Sequence, residues 1–146
     1  MKVFLDANVF VAAAGSLKGG SAFILQLSKN SEFEIVTVAQ ALIEAERNVA
    51  AKLGVNALGQ HHKNLLEIPL QLQPISDISL EEIAMLEKLV PMKDVPILLG
   101  ALQSKAHFLI TLDRRDFVDN PKLSAHEMPF QIVTPGAFLA SFLQET

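Results

Sequence analysis

Short apolar runs recur along this chain and predict the strands of a sheet. Residues 2–5 and 107–111 combine aromatic and aliphatic side chains, and an aspartate follows each run within two residues. Such short, nearly continuous apolar runs are typical of strands buried on both faces of a parallel sheet. Segments 34–38 and 131–134 have the same character. Segment 68–75 instead alternates apolar and polar residues between two prolines, which predicts an outer strand.

Apolar residues at helical spacing separate these runs and predict the helices. The clearest helix is 40–53, where Gly54 stands at the position of a C-terminal cap. Ser79 and Glu82 resemble a capping box that opens a helix over 80–89. The remaining predicted helices are 9 to about 15, 21–29, 55–67, 95–105 and 137–144. Strands that alternate with helices predict a single three-layer α/β domain over residues 1–146, with a central, mainly parallel sheet of four to five strands flanked by helices.

Composition narrows the classes of protein to which this chain can belong. Half of the 146 residues are apolar, which suits one domain with a substantial core. The chain has no cysteine, which excludes disulfides, thiolate zinc sites and cysteine nucleophiles. No apolar run approaches the length of a membrane span, so we expect a cytoplasmic protein that does not enter a membrane. The net charge of −4 argues against a broadly basic nucleic-acid-binding face, so any contact with RNA must be local.

Four acidic residues stand out by their position. Asp6 and Asp113 follow predicted strands, which places them at the carboxyl edge of the sheet, where α/β proteins bind ligands. Asp94 begins a predicted helix that starts near the same edge. Glu44 lies one turn into helix 40–53 among apolar neighbours, so we expect its carboxylate to point into the fold.

Carboxylates that meet without matching cations repel one another unless a metal ion neutralises them. A set of oxygen ligands without cysteine favours Mg²⁺ or Mn²⁺ over zinc. The corresponding chemistry is the attack of a metal-activated water on a phosphodiester.

Four acidic segments follow one another along the chain: 5–10 (LDANVF), 44–47 (EAER), 94–98 (DVPIL) and 109–117 (LITLDRRDF). Their order, their spacing and the strands beside them resemble the successive acidic motifs of PIN-domain nucleases. The resemblance covers nearly the whole chain, and the length resembles that of single-domain VapC-like toxin ribonucleases.

This resemblance implies a metal centre whose catalytic ligands to Mg²⁺ or Mn²⁺ are Asp6, Glu44, Asp94 and Asp113. It also implies that Asn8 and Thr111 support the site through hydrogen bonds. The chain departs from the family pattern at Leu112, where glycine is frequent, and at 91–93, where a further acid is frequent. Asp116 is therefore a candidate to share the metal-binding role of Asp113.

The function that the resemblance implies is that of an endoribonuclease acting on RNA, and specifically the toxin of a toxin–antitoxin pair. A small antitoxin protein would then cover the acidic site. A homodimer is also expected, and its interface could include some of the apolar residues of the first helices that otherwise belong to the core: Phe10, Val11, Phe23, Ile24 and Leu27. Two alternatives are a non-catalytic PIN-like domain that binds RNA or protein, and a phosphatase with Asp6 as its nucleophile.

Simpler roles compete for several of these residues. Asp94 could act only as a helix N-cap, and Asp6 could serve only the turn that follows its strand. A small rotation of helix 40–53 would make Glu46 the inward acid in place of Glu44. Arg114 and Arg115 are candidates to bind a substrate phosphate, or they belong to a solvated loop. The four histidines are expected to be structural or on the surface.

Overall fold

A sheet of parallel strands, five in the described part of the chain, forms the centre of the protein. The computed structural model describes residues 1–30 and 32–144. The strands are β1 (Lys2–Leu5), β2 (Glu34–Thr37), β3 (Leu70–Leu72), β4 (Phe108–Ile110) and β5 (Gln131–Val133), and their order in the sheet is β3-β2-β1-β4-β5. All four pairings are parallel, which confirms the predicted α/β fold with a central sheet.

In the described part of the chain, eight α-helices connect and cover the strands. They are α1 (Ala7–Gly15), α2 (Gly20–Ser28), α3 (Ala39–Lys52), α4 (Val55–Glu67), α5 (Leu80–Glu87), α6 (Val95–Gln103), α7 (Pro121–His126) and α8 (Pro135–Gln144). The chain passes from β1 outward to β3 and then returns across the sheet to β4. Right-handed crossovers therefore place α1 to α4 on one face and α5 to α7 on the other. Consistently, α1 packs against α2, α3 and α4, and α5 packs against α6.

The neighbouring strands β1 and β4 are buried on both faces over most of their length, which explains their nearly continuous apolar sequences. Val3, Phe4 and Leu5 of β1 and Leu109 and Ile110 of β4 have no accessible surface. In the register of these strands, Leu5 lies opposite Ile110, and the Asp6 amide donates to the Ile110 carbonyl at 3.0 Å. The ends of β1 and β4 are thereby held side by side.

Helix α6 approaches this sheet closely at Gly100. A Cβ atom there would lie 2.5 Å from Cγ1 of Val38 and 2.8 Å from Cε2 of Phe4, so only glycine fits without a shift of neighbouring atoms. Gly54 has a φ of 93° and donates to the Val49 carbonyl, as a helix-ending glycine does. The predicted cap at Gly54 is therefore confirmed.

Three short elements were not predicted: a 3-10 turn at Met92–Asp94, a π-helical turn at Arg114–Val118 and helix α7. The outer strand β3 is also shorter than predicted, because only 70–72 pair with β2. The capping box is confirmed, since Ser79 Oγ accepts from the Glu82 amide at 3.0 Å. Within the described residues, no single helix is long and apolar enough to cross a membrane. In that part of the chain, only α1 and α2 taken together have the length and composition of a membrane span, and the pair is bent by 102°.

Candidate metal centre

Asp6 lies at the carboxyl end of β1 and begins helix α1. Its Oδ1 accepts from the Ala7 amide at 2.7 Å, and its Oδ2 accepts from the Thr111 hydroxyl at 2.8 Å. The side chain is buried, with 6% of its surface exposed. Asp6 thus serves the strand-to-helix turn and also faces the end of β4.

Asn8 and Thr111 connect the ends of β1 and β4. Asn8 Nδ2 lies 3.3 Å from Asp6 Oδ2 and 3.2 Å from Thr111 Oγ1, and Asn8 Oδ1 accepts from the Leu112 amide at 3.0 Å. The Thr111 hydroxyl also accepts from the Asp113 amide at 3.1 Å. One donated and two accepted hydrogen bonds use the full capacity of that hydroxyl. These are the contacts that a supporting role requires, and the role itself stays a prediction.

The turn that follows β4 brings Asp116 to Asp113. Asp113 Oδ1 accepts from the Asp116 amide at 3.0 Å and so caps the π-helical turn. Asp94, at the start of α6, lies beside these two aspartates. Ligand oxygens of Asp94, Asp113 and Asp116 all lie within 4.8 Å of one another, and we call these residues the three-acid cluster. Among the described residues, none of the three forms an ion pair.

Asp94 does not cap its helix. Its backbone is already helical, because the 3-10 turn precedes it, and its side chain makes no capping hydrogen bond. The Asp94 Oδ2 atom is buried and has no hydrogen-bond partner among the described residues. The predicted position of Asp94 at the start of α6 is therefore confirmed, but the prediction that its side chain caps the helix is wrong.

Burial raises the pKa of Asp94 from its ordinary 3.8 to about 6. The negative charges of Asp6, Asp113 and Asp116 act in the same direction, and the neighbouring Lys93 opposes them. The ionised form of such a carboxylate is destabilised unless a cation binds to it.

Asp6 is shifted in the same direction. Burial raises its pKa, the hydrogen bonds from Thr111 and Ala7 lower it, and the charges of Glu44 and Asp113 raise it. The electrostatic influence of Glu44 and Asp113 on Asp6 means that acids from α3 and from the end of β4 act on one site.

Glu44 does not point into the fold, and that prediction is wrong. The buried face of α3 is formed by Ala41, Ala45 and Val49, which recur every four residues. Glu44 precedes Ala45 and is turned about 100° away from this face, so it is exposed. The apolar neighbour Ile43, which suggested burial, is itself 57% exposed. Glu46 is not the inward acid either, since it is exposed and lies 3.5 Å from Nε2 of His62.

The two arginines after β4 have different surroundings. Arg114 Nε donates to Asp119 Oδ2 at 3.0 Å, and both side chains are largely exposed. Arg115 instead lines a cleft that also contains Asp116. Among the histidines, His61 is buried against Phe10, whereas His62, His107 and His126 are exposed.

Sequence patterns did not reveal the residues that support the turn from 114 to 118. The Nδ2 group of Asn120 donates to the carbonyls of Leu89 and Asp116, both at 2.8 Å, and its Oδ1 caps α7. The sequence does contain an indication of α7, because an asparagine followed by a proline, here Asn120 and Pro121, is a typical helix start.

The donor set fits a hard divalent cation. The three-acid cluster offers only carboxylate oxygens, which suit Mg²⁺ or Mn²⁺. The buried, unpaired Oδ2 of Asp94 supports this fit, because a cation would remove the penalty of that atom. Asp6 and Glu44 are outside the group of mutually close oxygens. The charge of Asp6 acts on Asp94, and the charge of Glu44 acts on Asp6.

Comparison with known proteins identifies the family. A family model described as the PIN domain matches residues 2–115. A chain in the crystal structure of VapBC2 from Rickettsia felis, bound to a DNA fragment from its promoter, has a similar fold with a TM-score of 0.64 and 16% sequence identity. The match covers 92% of this chain and 98% of that chain. No curated protein sequence matches. Since the family model spans most of the sequence, the resemblance seen in the acidic motifs is confirmed, and the chain belongs to the PIN-domain family.

Proposed function

We propose that this PIN-domain protein is a Mg²⁺- or Mn²⁺-dependent endoribonuclease. The observation that carries the proposal is the buried, unpaired Asp94 Oδ2 within the three-acid cluster. Burial of a carboxylate oxygen without a partner is unfavourable, and strongly perturbed acids are typical of functional sites. The resemblance of the acidic motifs to those of PIN nucleases directs the proposal to RNA.

Asp94, Asp113 and Asp116 would hold the cation, and Asp6 and Glu44 complete the proposed ligand set. A bound divalent cation supplies a Lewis acid that lowers the pKa of a water molecule and stabilises charge developing on the phosphodiester. The Thr111 hydroxyl and the Ala7 amide keep the Asp6 carboxylate in a single orientation. Hydrolysis by this route would leave a 5′ phosphate.

The test uses labelled single-stranded RNA, incubated with the purified protein and with Mn²⁺, Mg²⁺ or EDTA. We expect cleavage with either metal, none with EDTA, and a loss of at least about a hundredfold in Asp6→Asn and Asp94→Asn. Glu46→Gln is the control, because it removes an exposed acid outside the proposed ligand set. Cleavage that persists in Asp6→Asn would overturn the proposal.

One observation favours a non-catalytic RNA- or protein-binding domain as the second candidate. Residues 91–93 are exposed and contain no acid, although the family frequently has a further acid there. The positive charge of Lys93 instead lies near Asp94 and lowers its pKa. A protein of this kind would bind RNA or a protein partner in the presence of Mn²⁺ without shortening the RNA. The labelled RNA assay, analysed on both native and denaturing gels, separates the two candidates.

We also propose that the chain is the toxin of a toxin–antitoxin pair, works in the cytoplasm and forms a homodimer. The similarity in fold to a chain of VapBC2 supports an antitoxin partner. Large exposed apolar side chains, such as Leu66 and Leu17 at 87% and 67%, support contacts with other chains. Light scattering of the purified protein tests the dimer, and copurification with the product of an adjacent gene tests the antitoxin.

A further inference from the structure

A cleft of about 370 Å³ opens directly beside the three-acid cluster. It lies between the end of α5 and the π-helical turn, and its charged and amide-bearing lining residues are Glu87, Lys88, Arg115, Asp116, Asn120 and Lys122. Asp116 belongs to both the cleft and the cluster. A molecule in the cleft would therefore be adjacent to the proposed metal centre.

The walls of this cleft are fixed to one another by Asn120. Its side chain is buried and donates to the carbonyl of Leu89 on one wall and to the carbonyl of Asp116 on the other. Its Oδ1 accepts from the Lys122 amide at 2.9 Å. Asp116 is in turn held by Asp113. The cleft is thus a preformed feature of the fold.

The cleft concentrates positive charge in an acidic protein. Lys88, Arg115 and Lys122 line it, and none of them pairs with an acid among residues 1–30 and 32–144. Arg114, the direct neighbour of Arg115, does have such a partner in Asp119. Two acids, Glu87 and Asp116, also line the cleft, so the three cations leave it with a small net positive charge in a chain of net charge −4. The three unpaired cations form a local site for an anion. We call it the basic cleft.

The chemistry of the lining selects a phosphate over a base. None of the described residues that line the basic cleft is aromatic, so it has no surface on which a base would stack. Lysine and arginine side chains are the usual partners of phosphate oxygens. On the premise of the proposed function, we propose that the basic cleft binds a backbone phosphate of the single-stranded RNA, next to the phosphodiester that is cut.

The experiment measures RNA cleavage by Lys88→Ala, Arg115→Ala, Lys122→Ala and the triple variant at several salt concentrations. Each contact with single-stranded RNA contributes about 0.7 to the slope of log affinity against log salt. Because one phosphate is bound, we expect KM to rise roughly fourfold for the triple variant at about 0.15 M salt, by part of this for each single substitution, and kcat to change little. Lys52→Ala, an exposed lysine at the far end of α3, is the control for loss of one positive charge.

A chemically modified RNA distinguishes phosphate binding from a structural effect. An uncharged methylphosphonate is placed at each position flanking the cut site in turn. At one position it should raise KM for the wild-type protein and leave KM of the triple variant unchanged, because the contact is already absent. Additive effects at every position would overturn the assignment of the cleft.

The outcomes separate this inference from the proposed function. If the wild-type protein cleaves RNA and the triple variant has the same KM and salt slope, the basic cleft is refuted and the nuclease function stands. If the wild-type protein does not cleave, the nuclease function is refuted. The cleft is then decided by RNA binding in Ca²⁺: weaker binding by the triple variant with a shallower salt slope supports it, and equal binding refutes it.

Discussion

Replacing Asp94 by asparagine is expected to stabilise the metal-free protein and to abolish its stabilisation by Mn²⁺. The substitution keeps the size of the side chain and removes its charge. The new amide group can donate to the carboxylates of Asp113 and Asp116, whose oxygens lie within 4.8 Å of a ligand oxygen of Asp94. The perturbation therefore replaces a repulsive group by one that is attracted to the same neighbours.

The magnitude follows from the pKa of Asp94, which burial raises from 3.8 to about 6. At about 1.36 kcal/mol for each pH unit, this difference corresponds to about 3 kcal/mol, and solvent screening at a partly exposed carboxyl reduces it to about 1 to 2 kcal/mol. Because the pKa is higher in the folded state, the ionised carboxylate lowers stability. The penalty is complete above pH 6 and fades as the pH falls from 6 towards 3.8.

Urea unfolding in EDTA at pH 8 and at pH 5 measures this penalty. The free energy of unfolding of Asp94→Asn should exceed that of the wild-type protein by about 1 to 2 kcal/mol at pH 8, and by less at pH 5. Mn²⁺ at a hundred times its dissociation constant should stabilise the wild-type protein by about 2.7 kcal/mol, and the variant by little. Asp119→Asn, an exposed acid outside the cluster, should change stability by less than about 0.5 kcal/mol. A variant less stable than the wild-type protein at pH 8 would refute the reasoning, and so would one that Mn²⁺ stabilises fully.

Three further predictions concern the scaffold around the site. Gly100→Ala should destabilise the protein by about 1 to 3 kcal/mol in urea unfolding, because the new Cβ would lie 2.5 Å from a valine methyl group. The control Gly59→Ala, where a Cβ meets no described atom within 4 Å, should stabilise the helix by about 0.5 to 1 kcal/mol. Thr111→Val should reduce RNA cleavage by at least about tenfold. Thr111→Ser should cleave like the wild-type protein, because serine keeps the hydroxyl group that donates a hydrogen bond to Asp6. Below pH 6.5 the wild-type protein should lose stability relative to His61→Leu. Burial lowers the pKa of His61 in the folded state, so the unfolded chain takes up the proton first as the pH falls. Parallel profiles of unfolding free energy against pH for the two proteins would contradict this.

Much of the sheet could be predicted because burial leaves a direct mark on sequence. Strands β1 and β4 are covered on both faces, and two-sided burial requires the continuous apolar runs that were recognised. The segment 114–126 carries no such mark. Its π-helical turn has local hydrogen bonds from the Asp116 amide to Asp113 and from Asn120 to the Asp116 carbonyl. Asn120 also donates to the Leu89 carbonyl, a contact that only the folded chain brings together.

The candidate site was predictable where it depends on strands, and less so where it depends on helix orientation. Asp6 and Asp113 follow adjacent parallel strands, and the sheet necessarily brings such residues to one edge. The orientation of Glu44 was mistaken because one residue along a helix is a rotation of about 100°, and Ile43 gave a misleading apolar signal. The role of Asp94 as a cap was mistaken because the 3-10 turn before it makes its backbone helical.

The order of strands in the sheet also determines when this protein becomes complete during its synthesis. Strand β1 leaves the ribosome first, yet it lies in the middle of the sheet, between β2 and β4. Asp6 obtains its partners only when Ile110 and Thr111 have emerged, and the three-acid cluster needs the chain as far as Asp116. At about 5 to 20 residues per second, this delay lasts several seconds or longer. A nascent chain that ends before Asp116 therefore carries the first carboxylate without the three-acid cluster.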